Sequence, residues 1–449
     1  MARRRRIQPT LVAALTSART RTLRRGAAEV ARRLRGAPHR VRLFHQVDDP
    51  YAHLLAQVLE PFVRRYDVVL EPWLVGPPPD EAAPERARLE AFARRDAADV
   101  APSLGLRFPE DAAAPDPARV EQATRLLAGS DAADFPSLAP RVGEALWAGD
   151  DAALEALGHE TEPTPPEAAR RAVAEGDALR RRLGHYLGAM LHYGGEWYWG
   201  VDRLEHLERR LQDLGALRPG ADRRPLVPRP DFRDAPTPVA PASDGRVVLE
   251  CFVSLRSPYT AIAMERIRAL PVRFPVELVM RPVLPMVMRG LPVPREKRLY
   301  ILLDTKREAA RAGVPFGRVC DPVGRPVERA FTLYPFAFSR GRDAAFLHAF
   351  THAAFAEGVD TGTDAGLRHV VERAGLAWDE ARDHLDRDDF GPELERNRRE
   401  LLDLGLWGVP SFRLRGPAGE PDYATWGQDR LFRVEAEIRR RVGSDAPQG

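Results

Sequence analysis

The chain has 449 residues, 44% of them hydrophobic and 30% charged, which supplies apolar side chains for two domains with cores of their own. No window approaches the roughly 18 to 20 uncharged apolar residues of a membrane-spanning helix, and the apolar run Leu11 to Leu15 is too short for a secretory h-region, so a cytoplasmic protein is expected. The net charge of +3 hides an asymmetry: residues 1 to 40 hold twelve arginines against one acid, Glu29, and carry +11, which leaves −8 on the remainder.

An arm of that charge could meet nucleic acid, an anionic membrane surface or an acidic partner. A frayed or partly helical solvated extension over 1–40 is the plain expectation, and the acidic remainder argues against a specific nucleic-acid-binding protein. Beyond it, Val41 to Phe44 reads as a strand and Pro50 to about Tyr66 as a helix, with Leu54, Leu55, Val58, Leu59 and Phe62 at helical spacing. Val68 to Val75 is a second strand, broken by the proline-rich stretch at 76–80. Ala, Arg and Glu-rich helical segments follow to about Leu183, then short strands at Ala189 to Tyr193 and Glu196 to Trp199 and a closing helix from Val201. Seven prolines between Gly215 and Gly245 mark a stiff linker over 216–245.

The order then repeats. Strand Val247 to Phe252, a helix from Pro258, strand Val276 to Met280, a helical block, strands near Ser411 to Leu414 and Tyr423 to Trp426, and a last helix from Asp429 are expected. FHQVDDPY at 44–51 aligns without a gap on FVSLRSPY at 252–259, and WGVDRL at 199–204 on WGQDRL at 426–431. Two copies of one domain, over 41–215 and 246–441, follow from this. Only two cysteines occur, Cys251 in an apolar strand and Cys320 in a loop-like stretch that could be exposed. There is no CxxC and no His/Cys cluster at zinc spacing, so neither dithiol exchange nor a metal is expected. His348 and His352 stand four apart without a third ligand, and Asp48, Asp49, His45 and His53 are neighbours on a turn, where side chains usually point apart, so no metal or acid-base site is expected there.

The succession β-α-β, helical insertion, β-β-α is that of an α/β fold made of tandem thioredoxin-like domains, each with a helical insertion. In the second half SPY at 257–259, KRLYILLDTKREAARAGVP at 297–315, GLWGVPSF at 405–412 and WGQDRL at 426–431 occur in order over most of 247–440. Together they resemble the 2-hydroxychromene-2-carboxylate isomerases and kappa-class glutathione transferases of the DsbA-like group. The first half resembles a degenerate copy.

Pro258 suits a first helical position, which places Ser257 at the helix N-cap beside free N–H groups. The resemblance implies that a glutathione sulfur, or that of another low-molecular-weight thiol, sits there, with the Ser257 hydroxyl donating to the thiolate; a cap alone is the alternative. It further implies a cis bond between Val409 and Pro410 that opens Val409 for strand-like pairing with the ligand, binding of the γ-glutamyl ammonium by Gln428 and Asp429, and contact of Lys297 with a glutathione carboxylate. Asp304 and Arg307 read as a helix-surface pair. Arg256 stands where the family usually has an apolar residue and adds positive charge beside the sulfur position.

In the first copy Asp49 occupies the Ser257 position, Asp48 that of Arg256, and Ala189 that of Pro410, so glutathione chemistry is not expected there. Asp202 and Arg203 read as cap and scaffold, and Trp197, Tyr198 and Trp199 as packing. The resemblance therefore implies an isomerase or transferase acting on a small electrophilic substrate through a glutathione thiolate. A non-catalytic thiol- or peptide-binding tandem, or a DsbA-type oxidoreductase relative without a CxxC, remains open, as does a homodimer.

Overall fold

A computed structural model describes residues 2–229, 247–387, 390–416 and 420–442. The chain divides into two units, one grouping residues up to Thr20 with 247–293 and the described residues from Arg298, the other grouping 21–229 with 294–297.

In the N-terminal unit, β1 (Arg40–His45) is a short run whose Val41, Leu43 and Phe44 are fully buried. It lies parallel to β2 (Val69–Leu74) with Arg40 opposite Val69, and antiparallel to β3 (Met190–Tyr193), which pairs with β4 (Glu196–Trp199). The sheet order is β2-β1-β3-β4. The single helix expected over 50–66 is two, α3 (Pro50–Ala56) and α4 (Leu59–Arg65). Pro61 is the cause: it has no N–H for the carbonyl of Gln57, and its ring would strike that carbonyl in a continuous helix. Between β2 and β3 stand α5 (Arg86–Val100), α6 (Pro117–Ala128), α7 (Phe135–Ala148), α8 (Asp151–Glu160) and α9 (Pro166–Arg182); α10 (Leu204–Asp213) follows β4. Leu54, Phe62, Tyr66, Leu191, Tyr198 and Leu207 share the core.

The C-terminal unit has the same plan. β5 (Val247–Val253) is central, parallel to β6 (Val276–Pro282) and antiparallel to β7 (Ser411–Arg415), which pairs with β8 (Tyr423–Trp426), giving the order β6-β5-β7-β8. α11 (Pro258–Arg273) joins β5 to β6. The insertion contains α12 (Arg295–Ala312), α13 (Arg325–Ser339), α14 (Asp343–His352), a π turn at Ala353–Glu357, α15 (Asp364–Arg373), α16 (Trp378–Ala381) and α17 (Gly391–Asp403); α18 (Leu431–Arg441) closes the unit. Alternation puts Val247, Leu249, Cys251 and Val253 on the core face of β5. Glu250, on the other face, is fully buried against Arg281, Arg413 and Arg415.

Backbone register coincides between the units at one offset. Arg40 opposite Val69 matches Val248 opposite Glu277, and the bond from Val75 N–H to the His45 carbonyl matches that from Val283 N–H to the Val253 carbonyl. In each pair the second residue stands 208 positions after the first, as do Phe44 and Phe252 in sequence.

The basic arm differs from expectation, because it is two helices, α1 (Ala2–Thr16) and α2 (Ala18–Leu34), each set against protein. In α1 Pro9 and Thr16 are buried, Val12 packs on the C-terminal core, and the Gln8 side chain accepts from the Asp321 amide. In α2 Arg25 forms a two-pronged pair with Glu196 at 2.7 Å. Of the arm's apolar side chains, Pro9 is buried and Val12 packs on the C-terminal core, whereas α2 has no buried residue. Residues 216–229, placed by their prolines in the linker, likewise lie on the N-terminal unit: Val227 is 2% exposed and the Leu226 amide donates to Glu208. The rest of that segment, 230–246, lies outside the described residues.

Candidate functional site

α11 starts where the central strand β5 ends. Ser257 has the extended backbone of an N-cap (φ −87°, ψ 116°) and Pro258 takes the first helical position. The Ser257 Oγ accepts from the Thr260 amide at 3.1 Å and donates to the Val409 carbonyl at 3.2 Å. The Val409–Pro410 bond is cis.

The segment bearing Val409 is held from both sides. Ser411 Oγ donates to the Gly408 carbonyl at 2.7 Å, and the Gly427 amide donates to the Pro410 carbonyl at 2.9 Å. A Cβ on Gly408 would come within 2.2 Å of the Trp426 indole, so only glycine lets that ring cover the backbone here. Trp407 and Trp426 pack with centroids 5.9 Å apart. Segments 254–260, 407–411 and 426–430 are thus brought together around the start of one long helix.

The charges are distributed otherwise than the sequence implies. Arg256 is bound by both oxygens of Asp321, each at 2.7 Å, so the positive potential at Ser257 comes from the dipole of the helix end rather than from this guanidinium. Gln428 is 3% exposed, and its amide is committed inside the unit: Oε1 accepts from Arg266, while Nε2 donates to Glu308 and to the neighbouring Asp429. Asp429 is half-buried beside it. Lys297 groups with the N-terminal unit, where its ammonium donates to the Ala82 carbonyl at 2.7 Å and burial pushes its pKa down to about 8.

Tyr259 and Asp304 carry a contact that sequence reading passed over. The Tyr259 hydroxyl donates to Asp304 at 2.8 Å, and Arg307 donates to the same carboxylate at 2.6 Å. The Asp304–Arg307 pair expected on a helix surface forms, but indoors: the side chains are 1% and 10% exposed. In the other unit Tyr51 donates to Asp96, also at 2.8 Å. Both tyrosines follow the shared proline and both acids come 45 residues later, which is the signal that could have found them. Ser254 and Thr260 are 3% and 1% exposed, and their hydroxyls have no hydrogen-bond partner among the described residues.

Neither cysteine approaches this site chemically. Cys251 is fully buried in β5, and burial drives its thiol well above the ordinary range. Cys320, which could have been exposed, is 2% exposed, its amide tied to the Ala354 carbonyl at 2.8 Å. His348 Nδ1 faces Arg268 and His352 faces Glu357; no group of three metal-ligating side chains lies together among the described residues.

At the corresponding place in the N-terminal unit Asp49 caps α3 by accepting from the Tyr51 amide at 2.9 Å. Burial, reinforced by Asp48, raises its pKa to about 7. Ala189 has a left-handed backbone (φ 51°) and accepts from the Gly200 amide at 2.7 Å, as Pro410 does from Gly427. Trp197 packs on Phe44 and His192, and Trp199 on Tyr51.

Residues 248–439 match the DSBA-like thioredoxin domain model, and the C-terminal half is a DsbA-like thioredoxin domain. No curated protein matches the chain. Solved structures similar to it include a 2-hydroxychromene-2-carboxylate isomerase at 19% identity, covering 43% of this chain and 95% of that one with a TM-score of 0.36. A probable DsbA oxidoreductase from Streptomyces coelicolor is 21% identical over 45% of this chain and 93% of that one, TM-score 0.34. The cytosolic disulfide reductase DsbM from Pseudomonas aeruginosa is 20% identical over 44% and 100%, TM-score 0.36. No helix among the described residues is long and apolar enough to cross a membrane.

Proposed function

We propose that the two units are diverged copies of one DsbA-like thioredoxin domain, and that the C-terminal copy binds glutathione or a similar low-molecular-weight thiol and uses its thiolate on a small electrophile. The shared sheet order and the 208-residue register support the first part. The second rests on one observation: a serine hydroxyl at the N-cap of a 16-residue helix, 3.2 Å from the Val409 carbonyl.

At 3.2 Å that hydroxyl bond is long for O–H···O and readily exchanged. A thiolate at the helix end takes the Ser257 proton donor and the helix potential, and releases the Val409 carbonyl to accept from a ligand N–H in strand-like pairing. Each unit of thiol pKa depression corresponds to about 1.36 kcal/mol. The thiolate sulfur then adds to the β-carbon of a conjugated carbonyl, forming a C–S bond while the π electrons move onto oxygen. Rotation about the new single bond and expulsion of the thiolate give the isomer; protonation of the enolate with retention of sulfur gives the transferase product. Asp429 is the group for the ligand ammonium. Residues 257 and 260 are Ser and Thr, so dithiol exchange has no pair of sulfurs at this helix end. A cytoplasmic setting, where low-molecular-weight thiols stay reduced, accompanies the proposal.

The internal commitments of Gln428 and Lys297 favour one second reading, a thiol- or peptide-binding module without turnover. Thermal unfolding of the full chain with and without millimolar glutathione tests both. Ligand at about 100 times its dissociation constant stabilises by roughly 2.7 kcal/mol, and Ser257→Ala and Asp429→Ala are expected to reduce that shift. No shift in the parent overturns the thiol site. Equal stabilisation by glutathione and by S-methylglutathione, unchanged in Ser257→Ala, assigns the binding module instead.

A further inference from the structure

One face of α2 has no role in the reading above. The helix is tied to its unit on one side by Arg25 with both Glu196 oxygens; on the same side Arg32 pairs with Glu29 of the helix itself and donates to the Ala37 carbonyl just after it. On the opposite side Leu23, Val30 and Leu34 are 64%, 57% and 84% exposed. Their spacing of seven and four puts them in one stripe, continued by exposed Ala27. Exposed Arg19, Arg24, Arg33 and Arg35 lie among and beside them. In α1 Ile7 and Leu11, four apart, are also 48% and 63% exposed.

The surface is both apolar and strongly positive, and its docked side fixes which way it faces. It is the exposed face of a single helix. A second copy of that face would set arginine against arginine. Nucleic acid offers phosphates for the arginines but nothing for a central aliphatic line, and residues 1–40 contain no Phe, Tyr or Trp to stack on bases. A fluid anionic lipid interface satisfies both features: aliphatic side chains enter the headgroup boundary, arginines meet the phosphates, and no matching shape is required. We propose that α2 docks this protein on anionic lipid surfaces, lying flat with Leu23, Val30 and Leu34 inserted. The −8 carried by the rest of the chain is repelled by the same surface, which leaves the arm as the point of contact.

The full chain, sedimented with vesicles of phosphatidylcholine alone or mixed with phosphatidylglycerol, tests this independently of the thiol site. Binding is expected on the mixed vesicles only, falling about tenfold or more from low to high salt. The double variant Leu23→Asp/Val30→Asp alters exposed positions, so its thermal unfolding is expected to match the parent while its vesicle binding at low salt drops about tenfold or more. Equal binding to neutral and anionic vesicles, no binding to either, or parent-like binding by that variant overturns the proposal. So does a lipid-free dimer that the variant loses, which would give the stripe to a second copy, or retention on single-stranded RNA in place of vesicles.

Discussion

The Tyr259 hydroxyl donates to the Asp304 carboxylate at 2.8 Å, tying the first turn of α11 to α12 just behind Ser257, and Tyr51 makes the same bond to Asp96 in the other unit. Asp304 is 1% exposed and accepts from Arg307 as well. Asp304→Ala therefore leaves a buried guanidinium without this partner and is expected to cost about 3 kcal/mol in urea unfolding, against about 1 kcal/mol for Tyr259→Phe, which removes one hydrogen bond. Equal effects of the two changes would show that the carboxylate is not the centre of this contact.

Asp49 supplies a pH dependence of known sign. Its folded pKa is raised to about 7 from an ordinary 3.8, so the folded unit holds a proton that the unfolded chain gives up. Stability from this group is full below about pH 4, falls as pH rises through that window, and is constant above about 7. Asn also caps well but does not titrate. The stability of Asp49→Asn relative to the parent is expected to rise between pH 4 and 7, by up to about 4 kcal/mol, and then level off. Chemical denaturation across that range checks it, and a flat difference contradicts it.

Ser257→Cys turns the helix end into a measurable probe. A thiol placed where the serine oxygen accepts from the Thr260 amide is expected to titrate below the usual value of about 8.5, by thiolate ultraviolet absorption. Ser257→Cys/Thr260→Cys puts two sulfurs one helical turn apart, and mass spectrometry after mild oxidation is expected to show the loss of two hydrogens. Cys251 and Cys320, both buried, are expected to react with thiol reagents only on unfolding. A Ser257→Cys thiol with ordinary titration would remove the electrostatic basis of the site.

Much of this architecture could be read from the chain, because the capping position repeats 208 residues on, from Asp49 to Ser257, and WGVDRL returns as WGQDRL 227 residues on, both as local patterns. The cis bond at Val409–Pro410 was implied by resemblance and is present. What stayed hidden depends on long-range partners. Gln428 reads as a ligand donor until Arg266 and Glu308, on other elements, take its amide. Lys297 reads as a site residue until its ammonium meets Ala82. The break between α3 and α4 was legible in Pro61, but the apolar spacing across it was given more weight. The anchoring of the arm was likewise hidden, because Arg25 pairs with Glu196, 171 residues away.

The central claim is that the start of α11 stabilises a bound thiolate. Its most direct measurement is the pH titration of thiolate ultraviolet absorption for glutathione held by the full chain in excess, in the parent and in Ser257→Ala. The parent is expected to lower the apparent thiol pKa to below about 7, and the variant to return it towards the ordinary value of about 8.5. A bound thiol that titrates like free glutathione in both proteins would contradict the account.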